Sequence, residues 1–205
     1  MDKFLSRLEW RFATKKFEQS KKIGENDLNQ ILEATRMAPS SFGIQPYHVI
    51  VIEDKFLRER LLPHSYNQPQ IIDASHLLVF ASRIDLRARI NEYIEIASSG
   101  DEGAKLAMAE YKKMMEGSLC GLDTTQAKSW ADRQTHIALA FAIAAAMELG
   151  IDSCPMEGFN PSEYDKVLGL PDTLKSVVLL TLGYRSAGPV SPKVRFPKSD
   201  LFTKK

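Results

Sequence analysis

Apolar residues recur along this chain in two rhythms, one of them helical. The segment GENDLNQILEATRMA, from Gly24, places Leu28, Ile31, Leu32 and Thr35 on a single stripe and predicts an amphipathic helix of about three turns. Residues 3–10 alternate at the same helical spacing. Three other runs are apolar without that period: Tyr47 to Glu53, HLLVFAS from His76, and SVVLLTLGY from Ser176 to Tyr184. They predict buried strands. DKFLRERLL reads as a short helix and NQPQIIDAS as a loop entering a helical turn. Residues 85–98 and 101–116 read as two polar-faced helices.

Capping residues mark the boundaries. Asp123 with Gln126 forms an Asp-x-x-Gln capping box at the head of a long helix ending at Gly150. At 1.5 Å per residue it would be roughly 39 Å long. It is rich in alanine on nearly all sides, so another backbone can approach closely; this suits the centre of a dimer or a monomer core. Asn160, Pro161 and Glu163 cap a later helix. The tail contains Pro189, Pro192 and Pro197, which predict an extended edge strand or a wrapping arm. Strands and helices are mixed without regular βαβ alternation, so the expected class is α+β. One domain over residues 1–205 is expected, with 185–205 as a C-terminal arm.

Composition narrows the function. The chain has 205 residues, 44% of them hydrophobic and 26% charged, with a net charge of +1. That describes a soluble globular protein and lacks the basic footprint of a nucleic-acid binder. Cys120 and Cys154 are far apart, which excludes a zinc ribbon or disulfide framework on spacing and fits a reducing cytoplasm. The N-terminus has no signal-peptide core, and the apolar run from Ile137 is too short for a membrane span.

The usual signatures of dinucleotide, P-loop, zinc-protease and serine-hydrolase sites are absent. His48, His64, His76 and His136 show no metal spacing, so no metal is expected. Asp73, Ser75 and His76 crowd into one tetrapeptide, where triad members rarely lie; a turn cap is the expectation and a hydrolase the rival. RFATKKF says more. In an extended backbone Arg11, Ala13 and Lys15 share a face, with the two cations roughly 13 Å apart. A ligand with a phosphate at one end and a polar ring at the other could span them. In PKVRFP, Lys193 and Arg195 share a face and Lys198 follows; alone this is a solvated edge, as RFATKKF alone is a solvated surface segment, but together the cations could complete an anion site with Arg11. CPMEGFNPSEY sets Glu157 and Gly158 before a capped helix, where glycine permits close backbone approach and a glutamate in an apolar setting can orient a ring.

Taken in order, RFATKKF, APSSFGIQPYHVIVIED, NQPQIIDASHLLVF and CPMEGFNPSEYDKVLGL resemble the FMN-dependent nitroreductases, the oxygen-insensitive NAD(P)H nitroreductase and flavin reductase family. The resemblance runs from about Leu8 to Lys198 and is weakest over residues 85–122. It implies a three-layer α-β-α sandwich with a central mixed or antiparallel sheet, in an intertwined homodimer with FMN at the interface. It also implies that NAD(P)H reduces the flavin and that nitroaromatics, quinones or free flavins then take two electrons in a ping-pong cycle. A flavin-storage protein, an enone reductase or a dehalogenase on the same scaffold are the alternatives.

The resemblance also assigns residues. Arg11, with Phe12 and Ala13, would take the FMN phosphate, and Lys15 the N1/O2 edge of the ring. Pro39, Ser40 and Ser41 would reach the flavin of the opposite subunit. Asn67 and Gln70 would bond the pyrimidine side. Pro155, Met156, Glu157 and Gly158 would line the face near N5, while Lys193, Arg195 and Lys198 close on the phosphate. Phe42, Met114 and Met115 would form the substrate wall. No catalytic side chain is implied; Lys15 and Glu157 would tune the flavin. Ala13 stands where relatives often have serine, Gln70 where some have lysine, Asp200 where some have arginine, and Phe42 where some have a smaller polar residue.

Overall fold

In the computed structural model, which describes residues 3–205, four antiparallel strands form one sheet in the order β1-β2-β4-β3. They are β1 (Tyr47–Ile52), β2 (His76–Arg83), β3 (Asp152–Met156) and β4 (Leu174–Gly183). The two central strands are buried on both faces, which explains why HLLVFAS and SVVLLTLG read as unbroken apolar runs. No named strand pairs in parallel; the parallel contact is an isolated bridge between Ala13 and Ser153.

Side-chain alternation along these strands feeds two cores. Leu78, Phe80, Val178, Leu180 and Leu182 face α2 (Glu25–Arg36) and α8 (Thr124–Glu148). Leu77, Val79, Leu179, Cys154 and Met156 face α3 (Lys55–Leu61), α4 (Gln70–Asp73) and α9 (Pro161–Leu168). The result is the expected α-β-α sandwich. A third cluster joins α5 (Leu86–Ala97), α7 (Ala109–Leu119) and Ile44 beside the sheet.

The predicted caps form. Asp123 accepts from the Gln126 amide at 2.8 Å, and Gln126 Oε1 accepts from the Asp123 amide at 3.1 Å. At its other end α8 closes through Gly150 at φ +71°, where the Ile151 amide bonds the Ala146 carbonyl at 2.8 Å. Small residues Ala131, Ala138, Ala142 and Ala146 lie fully buried along one side of this helix, allowing α2 and the sheet to approach.

Two expectations need correction, and one strand goes unmarked in the sequence. The helix over 101–116 is two helices, α6 (Glu102–Ala107) and α7, broken at Met108, whose ψ of 1° leaves the helical well while its amide still bonds Ala104 and Lys105. CPMEG, which carries no strand signal of its own, closes the edge strand β3 at residues 152–156. The tail beyond Arg185 joins no sheet and is not extended throughout. Lys198–Leu201 makes a short helix, α10, because the main-chain bonds of residues 186–205 are local, apart from the Ser186 amide donating to the Lys16 carbonyl at 3.0 Å.

His76, at the start of β2, is buried, with Nδ1 3.0 Å from Ser75 Oγ and Nε2 3.6 Å from Glu53. Burial pushes its imidazolium below the ordinary 6.5, partly offset by Glu53. The unfolded chain therefore binds this proton more tightly than the folded one, so stability is full above pH 6.5 and falls as the pH drops through 6.5 towards the folded value. Urea midpoints measured at about pH 5 and about pH 7.5 should diverge less in His76→Gln than in wild type.

Candidate functional site

The segment after α1 (Lys3–Trp10) is extended because it is stitched to the sheet edge. The Thr14 amide donates to the Ser153 carbonyl at 3.1 Å, and the Glu18 amide to Tyr184 at 2.8 Å. Thr14 is buried and points at Asp152, so its neighbours Ala13 and Lys15 turn outward, the alternation predicted for RFATKKF. Close packing locks this arrangement: a Cβ on Gly183 would meet Phe17 Cδ1 at 2.8 Å and the Ser75 amide at 3.1 Å.

The departing tail is pinned beside that segment. Buried Asp152 accepts from Arg185 Nε at 2.6 Å and from the Arg185 amide at 2.9 Å. The Arg185 guanidinium lies over Trp10 and Phe12, at 4.2 and 4.3 Å from their ring centroids. Further on, Lys193 Nζ donates to the carbonyls of Leu8 at 2.5 Å and Glu9 at 3.0 Å. These are last-turn carbonyls of α1, where a cation complements the helix dipole.

The consequence is a cavity of about 590 Å³ lined by Arg11, Phe12, Ala13, Lys15, Lys193 and Arg195, with residues 189–192 and 194. Four cations face it against one carboxylate, Glu9. Burial first, then the neighbouring Arg195, holds the Arg11 guanidinium below its ordinary range. Burial, then Arg11 and Arg195, likewise depresses the Lys193 ammonium. Arg11 Nε is buried and has no hydrogen-bond partner. Cations that repel one another around an unpartnered donor suit an anionic ligand, and the guanidinium fork suits a phosphate.

The sequence profile of the Nitroreductase family matches residues 8–184. The chain belongs to the nitroreductase family. A Staphylococcus epidermidis protein provisionally named an NAD(P)H nitroreductase is 35% identical over 205 residues, covering 95% of this chain and 93% of its own. A Haemophilus influenzae protein with the same provisional name is 34% identical, covering 86% and 84%. Among solved structures, a provisionally named nitroreductase from Exiguobacterium sibiricum in complex with FMN superposes with a TM-score of 0.86 at 20% identity, over 100% of this chain and 98% of its own.

Other residues that the resemblance assigns lie on the segment after α1, on the turn before α4 and its first residue, and along β3 and its loop. Lys15 Nζ reaches Cys154 Sγ at 3.5 Å, and burial raises that thiol above its ordinary value. Gln70 is buried and donates to Gln68 Oε1 at 3.2 Å, and Gln68 in turn donates to the Gly158 carbonyl at 2.8 Å. A Cβ on Gly158 would meet Gln68 Nε2 at 3.1 Å. Pro155 is half-buried, and Asn67 is exposed at φ +53°. Met156 is buried in the core, so its main chain alone remains to face a ligand. The apolar setting expected for Glu157 is absent: Met156 and Phe159 turn into the core, and the glutamate is exposed and paired with His136.

The serine loop is not part of the cationic cavity of its own chain. Pro39 and Ser41 are exposed, Ser40 Oγ accepts from the Gln45 amide at 2.9 Å, and the Ser41 amide donates to Gln134 Oε1 at 2.8 Å. Phe42 takes φ +58° and packs edge-on against Tyr111. It lines a separate cavity of about 530 Å³ with Ser118, Leu119, Leu122, Trp130 and Arg133. Met115 is no part of that wall: it is fully buried in the third core, because α7 turns this position inward. Met114 is exposed but lies outside the lining, and Lys198 opens α10 away from the cationic cavity. Asp73 bonds Gln19 at 2.7 Å rather than His76, and Ser75 Oγ accepts from the Ile23 amide at 2.9 Å, so no triad assembles.

No motif in the sequence marks Gln134, Trp130, His136 or Gln68. The first three sit on α8, where their spacing resembles ordinary core or solvated positions. Gln134→Leu leaves the Ser41 amide without its acceptor and should destabilise the fold by about 1 kcal/mol in urea titration.

Proposed function

We propose that this chain is an FMN-dependent oxidoreductase that draws electrons from NAD(P)H and passes them in pairs to nitroaromatics, quinones or free flavins. The observation carrying this reading is the cluster of Arg11, Lys193 and Arg195 around one cavity, with Arg11 Nε buried and unpartnered. Its family membership and the FMN complex of a structural relative point the same way.

The chemistry that bound FMN supplies is two-electron transfer between a nicotinamide and an acceptor. The chain's own residues bind, orient and tune. Arg11, Lys193 and Arg195 take the phosphate, with Phe12 and Ala13 lending backbone; Arg195, which lines the cavity, has this role in preference to Lys198. Lys15, held at Cys154, presents its ammonium to the pyrimidine edge of the ring. A cation there stabilises the negative charge gained on reduction and raises the potential. Asn67, Gln70, Pro155, Glu157, Gly158 and the main chain of Met156 border the ring.

Pro39, Ser40 and Ser41 serve a second copy, since they project outside their own chain's cavity. Ile137 and Phe141 of α8 and Phe4, Leu5 and Leu8 of α1 are all exposed, an apolar surface that a homodimer would cover. Phe42 then meets the acceptor. Among the described residues no helix is long and apolar enough to cross a membrane, and our reading places the enzyme in the cytoplasm.

Purified protein should be yellow, and NAD(P)H should bleach it anaerobically; colourless protein that takes up no FMN would end this reading. Arg11→Ala should weaken FMN binding on the order of 10- to 100-fold in fluorescence titration, with little change in melting temperature. Lys15→Ala should lower the flavin potential by on the order of 30 mV in dye-coupled titration, and an unchanged potential would remove Lys15 from the ring edge.

A further inference from the structure

The cavity beside the serine loop has walls of one chemical kind from three places in the chain. Phe42 is held by Tyr111, with ring centroids 6.4 Å apart and the Tyr111 hydroxyl donating to the Phe42 carbonyl at 3.5 Å. Leu119 and Leu122, at and just beyond the end of α7, form a second side. Trp130 and Arg133 stand three residues apart on α8 and so share a helix face. Phe42, Leu119, Leu122 and Trp130 all pack in the third core, so this apolar surface is fixed in place.

Gln134, next to Arg133, ties the serine loop to the same turn of α8 by accepting from the Ser41 amide at 2.8 Å. The cavity therefore adjoins the loop, and its volume of about 530 Å³ suits a small aromatic molecule. Arg133 is the one charged side chain among the residues that line it. The guanidinium is exposed and reaches Ser129 Oγ at 3.2 Å, and among the described residues it forms no ion pair. The neighbouring Asp132 is taken by Lys128 Nζ at 2.6 Å. An aromatic wall with one uncommitted cation complements a flat ring that bears an anion. The ring finds Trp130 and Phe42, and a carboxylate finds the guanidinium fork.

We propose that this cavity seats the electron acceptor and that Arg133 determines specificity there, selecting flat aromatic acceptors that carry a carboxylate. This rests on the reading of the chain as an FMN-dependent oxidoreductase whose serine loop borders a second copy's cofactor, and it names the acceptor class of that site. For a nitrobenzoate the exchange balances as follows. The nitro group takes two electrons and two protons, one N–O bond breaks, and a nitroso group and water result. NAD(P)H supplies both electrons and one proton as it becomes NAD(P)+, and solvent supplies the other proton. The carboxylate is unchanged; its contact with Arg133 sets affinity and which end of the ring stays at α8.

Kinetics on the FMN-loaded enzyme with 4-nitrobenzoate and its neutral counterpart 4-nitrobenzamide test the selection. The ratio of kcat/KM for the acid to that for the amide should fall about fivefold in Arg133→Gln, with the loss in KM, and Arg133→Lys should restore part of it. Calorimetric titration should show 4-nitrobenzoate binding about fivefold more tightly to wild type than to Arg133→Gln. An unchanged ratio, equal affinities, or no binding of 4-nitrobenzoate to wild type would each overturn the proposal. So would a KM for NADPH that rises in Arg133→Gln as much as that for 4-nitrobenzoate, which would make Arg133 a residue of the electron donor. The same calorimetry on cofactor-free protein separates the two readings. A chain that takes up no FMN yet binds 4-nitrobenzoate through Arg133 refutes the oxidoreductase reading and retains the cavity as a site for aromatic acids. A yellow enzyme that reduces both compounds in the same ratio with and without Arg133 does the reverse.

Discussion

Mutual repulsion among cations held in one cavity is the constraint around which this molecule is arranged. Burial and then Arg195 depress the protonation of Arg11, burial and then Arg11 and Arg195 depress that of Lys193, and Glu9 is the one carboxylate among the residues lining their cavity. Strong local contacts hold them: Lys193 on the last carbonyls of α1, the tail root through the buried Asp152–Arg185 pair, and Arg11 by sheet-edge pairing of the segment that follows it. A bound phosphate would return part of that electrostatic cost as affinity, so stability and ligand binding draw on the same charges.

Helix α8 gives the second half of the arrangement its rigidity. Its capped ends fix its length, and its alanine stripe sets how closely it lies on the sheet. Its other faces carry Gln134 to the serine loop, Trp130 and Arg133 to the Phe42 cavity, and His136 to Glu157. One straight element thus relates the loop after α2, the apolar cavity and the β3 loop. A long helix suits that role because its internal bonds fix side-chain spacing over many turns.

The loop between α2 and β1 shows how far a peptide can be read. Two serines, a phenylalanine and Gln-Pro mark it as more than a turn, and its positive φ angles at Phe42, Gly43 and Gln45 show a strained backbone held by Gln134, Arg89 and Tyr111. Those partners are between 44 and 93 residues away in sequence, except that Gln45 and Ser40 also bond locally. Residue types announced the loop; distant groups decided its shape.

The sequence alone determined what depends on neighbours a few residues apart: the capping box at Asp123 and the cap at Asn160, the helical stripe of α2, the three apolar strands, and the alternation that turns Arg11, Ala13 and Lys15 to one side. These follow from backbone periodicity and from side chains bonding the nearest amides. Tertiary structure decided the rest. Met114 and Met115 are adjacent, and only packing of α7 against α5 chose the second for burial. β3 is too short and too polar to declare itself, and becomes a strand because β4 offers it an edge. His136 found Glu157, and Lys193 found the end of α1, across separations of 21 and 185 residues. Local bonds are written in adjacent residues, whereas long-range partners exist only once the chain entropy of bringing them together has been offset by a formed core.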